Sequence, residues 1–384
     1  MIYLDNHATT RVDPAVLAEM LPWFSQRYGN PSSRGHALGW DAEEAVGEAR
    51  ARVAALLSAE PEEIVFTSGA TESNNLALKG TIEAAGPGPH HVITTVTEHE
   101  AVLDPCRWLA DRGVRVTVLP VLADGLVDVA ALESAFSADT RLVSIMAANN
   151  EIGTLQPLEE IGRLCRTRGI LFHSDIAQAA GKVPVDLHAA CIDLASISGH
   201  KLHAPKGVGA LFVRKGVRPA PQVHGGGHES GIRSGTLNVP GIVGLGKACE
   251  LSRLELESPP EGGLLALRER LWALLQARIP RIHLNGSNAR RLPGNLNVSF
   301  DCLKAESLLM QLEGELALST GSACSSTGGG PSHVLTALGL PPERIDGAVR
   351  MGLGRFNTAD EVDRAAELLA EAVARLRALS PNWK

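Results

Sequence analysis

Several clusters of polar residues in this chain follow directly on apolar, β-branched runs, and their types point to one kind of chemistry. His173, Ser174, Asp175 and Gln178 follow the run that ends at Phe172, and Gly199, His200 and Lys201 follow the run that ends at Ser198. If both runs are strands of one parallel sheet, a carboxylate and an amine stand at neighbouring strand ends, where open sheets bind their ligands. A third run leads into Thr67-Ser68-Gly69-Ala70-Thr71-Glu72, a glycine turn that opens a helix and offers backbone N–H groups and a hydroxyl to an anion. Taken alone, that stretch reads first as an ordinary helix cap by Ser68 or Thr71. His99, in Thr97-Glu98-His99-Glu100, and the pair Asn149 and Asn150 occupy further strand ends. Their plain alternatives are a cap or surface histidine and an ordinary turn.

Pyridoxal phosphate needs a lysine for its Schiff base, an acid opposite its pyridinium nitrogen and donors for its phosphate. Lys201, Asp175 and the 67–72 turn meet these needs together. A helix N-terminus gives an anion only ~0.3–1 kcal/mol, whereas each hydrogen bond to a charged group is worth ~1.5–3 kcal/mol. Thr71, Ser198 and His200 are therefore expected to share the phosphate. His99 is placed to stack on the cofactor ring and relay protons.

The elements that must hold these residues alternate between short β-branched runs and longer helical stretches over about residues 60–260, the pattern of a mainly parallel sheet covered by helices. Seven strands are expected: Ile64–Thr67, His91–Val96, Val114–Leu119, Leu142–Ala147, Ile170–His173, Leu194–Ser198 and Gly209–Val213. Helices fit Asp41–Leu57, Thr71–Ala85, His99–Asp111 and Leu158–Arg168. A long helix after Gly241 breaks at Pro259-Pro260-Glu261-Gly262-Gly263, a domain boundary. A smaller α+β unit follows, with strands at Asn295–Phe300, Leu316–Thr320 and Val349–Gly352 and an amphipathic helix at Ala359–Leu379. The expected division is a large domain over 15–258 and a small one formed by 1–14 with 259–384.

Length and charge narrow the function further. At 384 residues the chain is long enough for two domains, and a net charge of -7 argues against direct nucleic-acid binding. The six cysteines are scattered without a CxxC pair and read as reduced thiols. No uninterrupted apolar run reaches membrane-spanning length, and the N-terminus lacks a charged segment followed by an apolar one. A cytoplasmic protein without a membrane partner is expected.

LDNHATT (4–10), FTSGATESNNLALKG (66–80), TEHEAVL (97–103), NNEIG (149–153), SGHKLHAPKGVGAL (198–211), GGGHESGIRSGTL (225–237), NLNVSF (295–300) and the segment Ser319 to Ser326 keep their order over nearly the whole chain. Together they closely resemble the cysteine desulfurases, the NifS/IscS-like branch of the class-V aminotransferases. The resemblance implies a fold-type-I architecture, a homodimer, and use of pyridoxal phosphate to take sulfur from L-cysteine. It implies that Lys201 carries the cofactor, Asp175 pairs with the pyridine nitrogen, Gln178 and Asn150 hold the ring-oxygen side, and His99 stacks on the ring. Ala70 through its main chain, Thr71, Ser198 and His200 are implied to bind the phosphate, with Thr236 reaching it from the other subunit. Arg350 matches the arginine that grips the substrate carboxylate, and Arg34 and Asn150 join it as substrate-binding residues.

Cys324 matches the cysteine that accepts sulfur as a persulfide. Independently, a cysteine within the Gly/Ser stretch 321–330 is unlike the other five, and such a loop can swing. The resemblance further implies a sulfur-acceptor protein such as an iron–sulfur scaffold, with Cys324 a possible transient cluster ligand. The chain departs from the family pattern at His7, at Ile176-Ala177 and at Gly328-Gly329-Gly330-Pro331, and residues 380–384 are unlike the tail some members use to dock a scaffold. A selenocysteine lyase or β-eliminating lyase would share every cofactor residue, with Cys324 the discriminator. A non-catalytic sulfur or metal carrier using His224, His228 and Cys324 would leave Lys201 and Asp175 unexplained.

Overall fold

The structure, a computed structural model, describes residues 1–259, 262–320, 330–380 and 383. Its strands in chain order are β1 (Ile2–Tyr3), β2 (Ile64–Thr67), β3 (His91–Thr95), β4 (Arg115–Leu119), β5 (Thr140–Ser144), β6 (Leu171–Asp175), β7 (Leu194–Ser198), β8 (Gly209–Val213), β9 (Ile282–Leu284), β10 (Asn295–Phe300), β11 (Leu316–Ala317), β12 (Ser319–Thr320) and β13 (Ala348–Gly352). β2 to β8 form the expected seven-stranded sheet in the order β2-β8-β7-β6-β5-β3-β4. β2, β6, β7 and β8 are almost wholly buried, as strands covered on both faces must be, which is why they read as apolar runs without alternation.

All neighbours in this sheet are parallel except β8, which runs against both β2 and β7. The reason is the length of the link. Only Gly199–Val208 joins β7 to β8, too short for the crossover that a parallel return requires. The link opens with a single 3-10 turn, Gly199–Lys201, which fixes Lys201 just beyond β7. Because β8 is reversed, its first residue, Gly209, lies at the same end of the sheet as the last residues of its neighbours.

Helices Ala37–Leu56 and Val239–Glu257 pack together below the sheet through small residues. A Cβ at Gly246 would stand 2.6 Å from Ala49 Cα, so the close approach needs glycine there. A second core gathers Leu4, Leu271, Leu275, Leu296, Val298, Phe300, Met351 and Leu369 around the sheet β12-β13-β10-β9. The expected strand Leu316–Thr320 is two pieces: β11 pairs parallel with β1, and β12 pairs antiparallel with β13. Two-residue strands leave no periodicity to read, and so the docking of the N-terminus onto the C-terminal unit escaped the pattern. Helix Leu264–Arg278 and β9 were likewise not anticipated. None of the described helices is long and apolar enough to cross a membrane.

Candidate active site

The strand-end residues converge on one cavity of about 540 Å3. Its walls include Gly69, Ala70 and Thr71 after β2, His99 after β3, Asn150 after β5, Asp175 at the tip of β6, Gln178 beyond it, and Ser198, His200 and Lys201 from β7 and its turn. His7, Thr9 and Lys206 also line it.

At one end, helix Ala70–Ala84 begins at Gly69 with no side chain capping it. Neither Ser68 nor Thr71 is a cap: Ser68 N donates instead to Glu72 Oε2 at 2.8 Å. Gly69 has φ 151° and ψ 177°, a conformation open essentially to glycine alone. Opposite it, a Cβ on Gly209 would stand 2.6 Å from Gly69 Cα and 2.4 Å from Ile197 O. Two glycines thus press the turn against β8 and leave the first amides of the helix, which face the cavity, without side-chain partners among the described residues. That is a cradle for an anion such as a phosphate. Lys206, His200 and Ser198 bring further donors to the lining.

At the other end, Asp175 is buried, and its carboxylate is held from two sides. Asn74 Nδ2 donates to Oδ2 at 2.8 Å, and Ala177 N donates to Oδ1 at 3.0 Å. The carboxylate is fixed as a hydrogen-bond acceptor on the cavity wall, as a pyridinium nitrogen requires. A lysine, a fixed carboxylate and an uncapped glycine cradle in one cavity match the shape and charge of pyridoxal phosphate.

The state of His99 follows from its role as N-cap. Its Nδ1 accepts from Ala101 N at 3.0 Å, so the ring can exchange a proton only through Nε2. Burial and then the charge of Lys201 lower its pKa, keeping the ring neutral with its proton on Nε2. His173, by contrast, is structural. Its nitrogens face Ser144 Oγ at 2.8 Å and Ser196 Oγ at 3.0 Å across neighbouring strands, and burial pushes its pKa down to about 4.

Asn149 and Asn150 divide the two readings offered by the sequence. Asn149 shapes the turn: its Oδ1 accepts from Glu151 N and Ile152 N at 2.8 and 3.0 Å, and its Nδ2 donates to Thr97 O at 2.9 Å. Asn150 lines the cavity. Arg350 is wholly buried behind that wall rather than on it. Its Nη1 donates to Asn150 O at 3.1 Å, and its Nη2 donates to Asp5 Oδ1 at 2.9 Å and Ser319 Oγ at 3.2 Å.

Two expected residues do not join the cavity within this chain. Arg34 is exposed and lines a separate hollow with Glu43, Arg50 and His228, because the turn that carries it lies before helix Ala37–Leu56 and away from the strand ends. Thr236 is exposed in the loop after β8, although that loop is tied to the cradle by Arg233 Nε donating to Glu72 Oε1 at 2.7 Å. Cys324 lies outside the described residues. Among those described, no group of three or more His, Cys, Asp or Glu side chains is arranged to hold a metal ion, and His228 Nδ1 accepts from Gly235 N at 3.2 Å.

The residues that position the site were less visible in the sequence. Thr10 N and Oγ1 both donate to His200 O at 2.8 Å, Thr9 Oγ1 meets His200 Nδ1 at 3.1 Å, and Thr10 Oγ1 accepts from His203 N at 2.8 Å. The N-terminal segment therefore straps down the turn that holds Lys201. Adjacent threonines at 9 and 10, outside any strand pattern, were the available signal. Asn74 had one too, since two consecutive asparagines inside a helix are unfavourable unless they bond something.

A family model described as Aminotransferase class-V matches residues 2–365. The chain is 49% identical over 385 aligned positions to a cysteine desulfurase IscS of Rickettsia africae (strain ESF-5), covering 100% of this chain and 93% of the relative. Among solved structures, a NifS-like protein superposes with a TM-score of 0.91 at 40% identity, covering 97% of this chain and 99% of the other. A structure described as SspA in complex with cysteine superposes with a TM-score of 0.83 at 37% identity, covering 93% of this chain and all of the other, 100%. With the cradle, the carboxylate and the lysine in the places that the sequence motifs lead one to expect, this chain belongs to the class-V aminotransferases and, within them, to the cysteine desulfurases.

Proposed function

We propose that this protein converts L-cysteine to L-alanine with pyridoxal phosphate held on Lys201, and passes the sulfur through a persulfide on Cys324. The observation that carries the reading is the convergence of Lys201, Asp175 and the uncapped Gly69-Ala70-Thr71 cradle on one cavity. When bound, the cofactor withdraws electrons from the substrate α-carbon, which loosens the α-proton and then the C–S bond. The chain's residues do the rest. Ala70, Thr71, Ser198 and His200 hold the phosphate, Asp175 keeps the pyridine nitrogen protonated, and Gln178 and Asn150 flank the ring oxygen. Lys201 Nζ is the base for the α-proton, and His99 Nε2, the one ring nitrogen not committed to the helix cap, stacks with its ring and relays protons.

Cys324 Sγ takes the sulfur as its thiolate attacks the substrate sulfur and the C–S bond breaks toward carbon. The assignment is supported by the residues on either side of Cys324 in the sequence. Ser319 Oγ accepts from Arg350, while Ser332 Oγ donates to Glu151 Oε2 at 2.5 Å and His333 Nε2 lies 3.1 Å from Glu98 O, so both flanks are tied to the segments that carry the site. Arg350, held behind the cavity wall by Asn150 O, Asp5 and Ser319, is the residue assigned to the substrate carboxylate, which would draw its planar fork away from those partners.

The functional unit is a homodimer in which Thr236, exposed on one chain, reaches the phosphate of the other. Residues 15–258 carry the cofactor, and 1–14 with 259–384 carry Cys324 and Arg350. The sulfur leaves to an acceptor protein such as an iron–sulfur scaffold in the cytoplasm. Cys324→Ala tests the assignment. The variant keeps the yellow cofactor and binds cysteine yet forms neither persulfide nor sulfide, whereas alanine production at the wild-type rate would overturn it.

A further inference from the structure

His7, a departure from the family pattern, makes a specific contact inside the cofactor cavity. Its Nδ1 lies 3.0 Å from Gln178 Oε1, and Gln178 Nε2 donates to the main-chain oxygen of His7 at 2.9 Å. The second bond identifies the nitrogen end of the carboxamide, so the atom facing Nδ1 is an acceptor and Nδ1 carries the ring proton. His7 Nε2 is buried with no hydrogen-bond partner among the described residues, as suits the unprotonated nitrogen of a neutral ring. Burial first, then the charges of Lys182 and Arg350, with that of Lys201 a lesser cause, hold the ring well below its ordinary pKa, so it stays neutral in the working range. Lys182 Nζ donates to the same Gln178 Oε1 at 3.1 Å. Both lone pairs of that oxygen are therefore occupied, and one N–H of the amide is taken by His7 O. A single N–H of Gln178 remains for whatever fills the cavity that this side chain lines.

The ring of His7 is also clamped. A Cβ at Gly352 would stand 2.8 Å from His7 Cδ2 and 2.9 Å from His7 N, so β13 closes on this residue only because position 352 is glycine.

We propose that His7 is a positioning residue that locks the Gln178 carboxamide with its nitrogen toward the cavity, so that its free N–H serves the ring oxygen of bound pyridoxal phosphate. The proposal rests on the reading of Gln178 as a partner of that oxygen. Without that bond the amide is held only by Lys182 and the main-chain oxygen of His7, and is freer to turn over and present its oxygen, an acceptor, to an oxygen that carries negative charge. His7 is neutral, so replacing it changes no charge in the cavity.

The test is a pH titration of the visible absorbance of the purified holoenzyme, read without substrate. A donor on the ring oxygen stabilises its negative charge most when the neighbouring lysine-linked nitrogen has lost its proton. Losing that donor therefore raises the midpoint of the spectral change, by about 0.5–1 pH unit for one hydrogen bond. His7→Leu and Gln178→Leu are both expected to raise it, His7→Leu by less than Gln178→Leu, because Lys182 and the main-chain oxygen of His7 still hold the amide. His7→Asn, whose side-chain N–H can stand where Nδ1–H stood, restores the wild-type midpoint and also controls for folding. If Gln178→Leu raises the midpoint and His7→Leu does not, the lock is wrong while the Gln178 reading stands. If Gln178→Leu leaves the midpoint unchanged, the Gln178 reading fails and the proposal fails with it.

Discussion

Arg350→Lys is the substitution that most directly separates substrate recognition from support of the fold. The side chain is fully buried, and among the described residues its two terminal nitrogens donate to Asn150 O, Asp5 Oδ1 and Ser319 Oγ. Lysine keeps the charge and loses the fork. A single ammonium can stay with Asp5 or meet an incoming carboxylate, but it cannot present two parallel N–H bonds to it. At least one charge-assisted hydrogen bond to the substrate is then lost, about 1.5–3 kcal/mol, or roughly ten- to 150-fold in kcat/KM. Arg350→Ala should cost more, since Asp5 then loses its cation as well. The assay pairs L-cysteine with cysteamine, which lacks the carboxylate, each titrated into the holoenzyme while the visible band of the bound cofactor is followed. Both variants should weaken L-cysteine binding and leave cysteamine binding near wild type. Equal weakening for the two ligands, tracking the loss of Tm, would show that Arg350 braces Asp5 and does not read the substrate.

Other consequences can be checked on the same protein. Lys201→Ala should abolish fixation of cofactor to protein by borohydride, and recovery of the reduced pyridoxyl group on another lysine would refute its role. Gly209→Ala forces a Cβ to within 2.6 Å of Gly69 Cα, an overpacking that should cost about 1–3 kcal/mol and weaken cofactor binding more than tenfold by equilibrium dialysis; undiminished cofactor affinity would disprove the cradle. Glu98 is buried, and burial raises its pKa from 4.5 to about 8. The folded chain therefore keeps a proton that the unfolded chain releases, and stability falls as pH rises through that window. Glu98→Gln removes this fall, so the variant's Tm relative to wild type should climb between pH 6 and pH 8.5, and a difference independent of pH would count against it.

How legible the site was depends on how its residues are held. Lys201, Asp175 and Gly69 stand at the ends of wholly buried strands, and in a parallel sheet strand ends are where the chain changes from unbroken apolar sequence to turn chemistry. That change is local, so the sequence displays it. The sheet's one reversal has no side-chain signature: the direction of β8 follows from the shortness of the Gly199–Val208 link, which is readable only from the bounds of the strands on either side. Thr10, Asn74 and His7 were harder still, because each acts on a partner far away in sequence. Thr10 holds His200 and Asn74 holds Asp175. Such residues look like ordinary polar side chains until the fold supplies the partner. Arg34 is the opposite case, a residue assigned through resemblance alone whose element faces another hollow of the same chain. Groups that touch the cofactor cavity were thus readable where the backbone delivers them, whereas the groups that orient them became visible only once β13, the N-terminal strap and the strand ends were brought together. His7 belongs to both sets: it lines the cavity, and its bond to Gln178 exists only because the strap crosses the strand ends and Gly352 lets β13 close behind it.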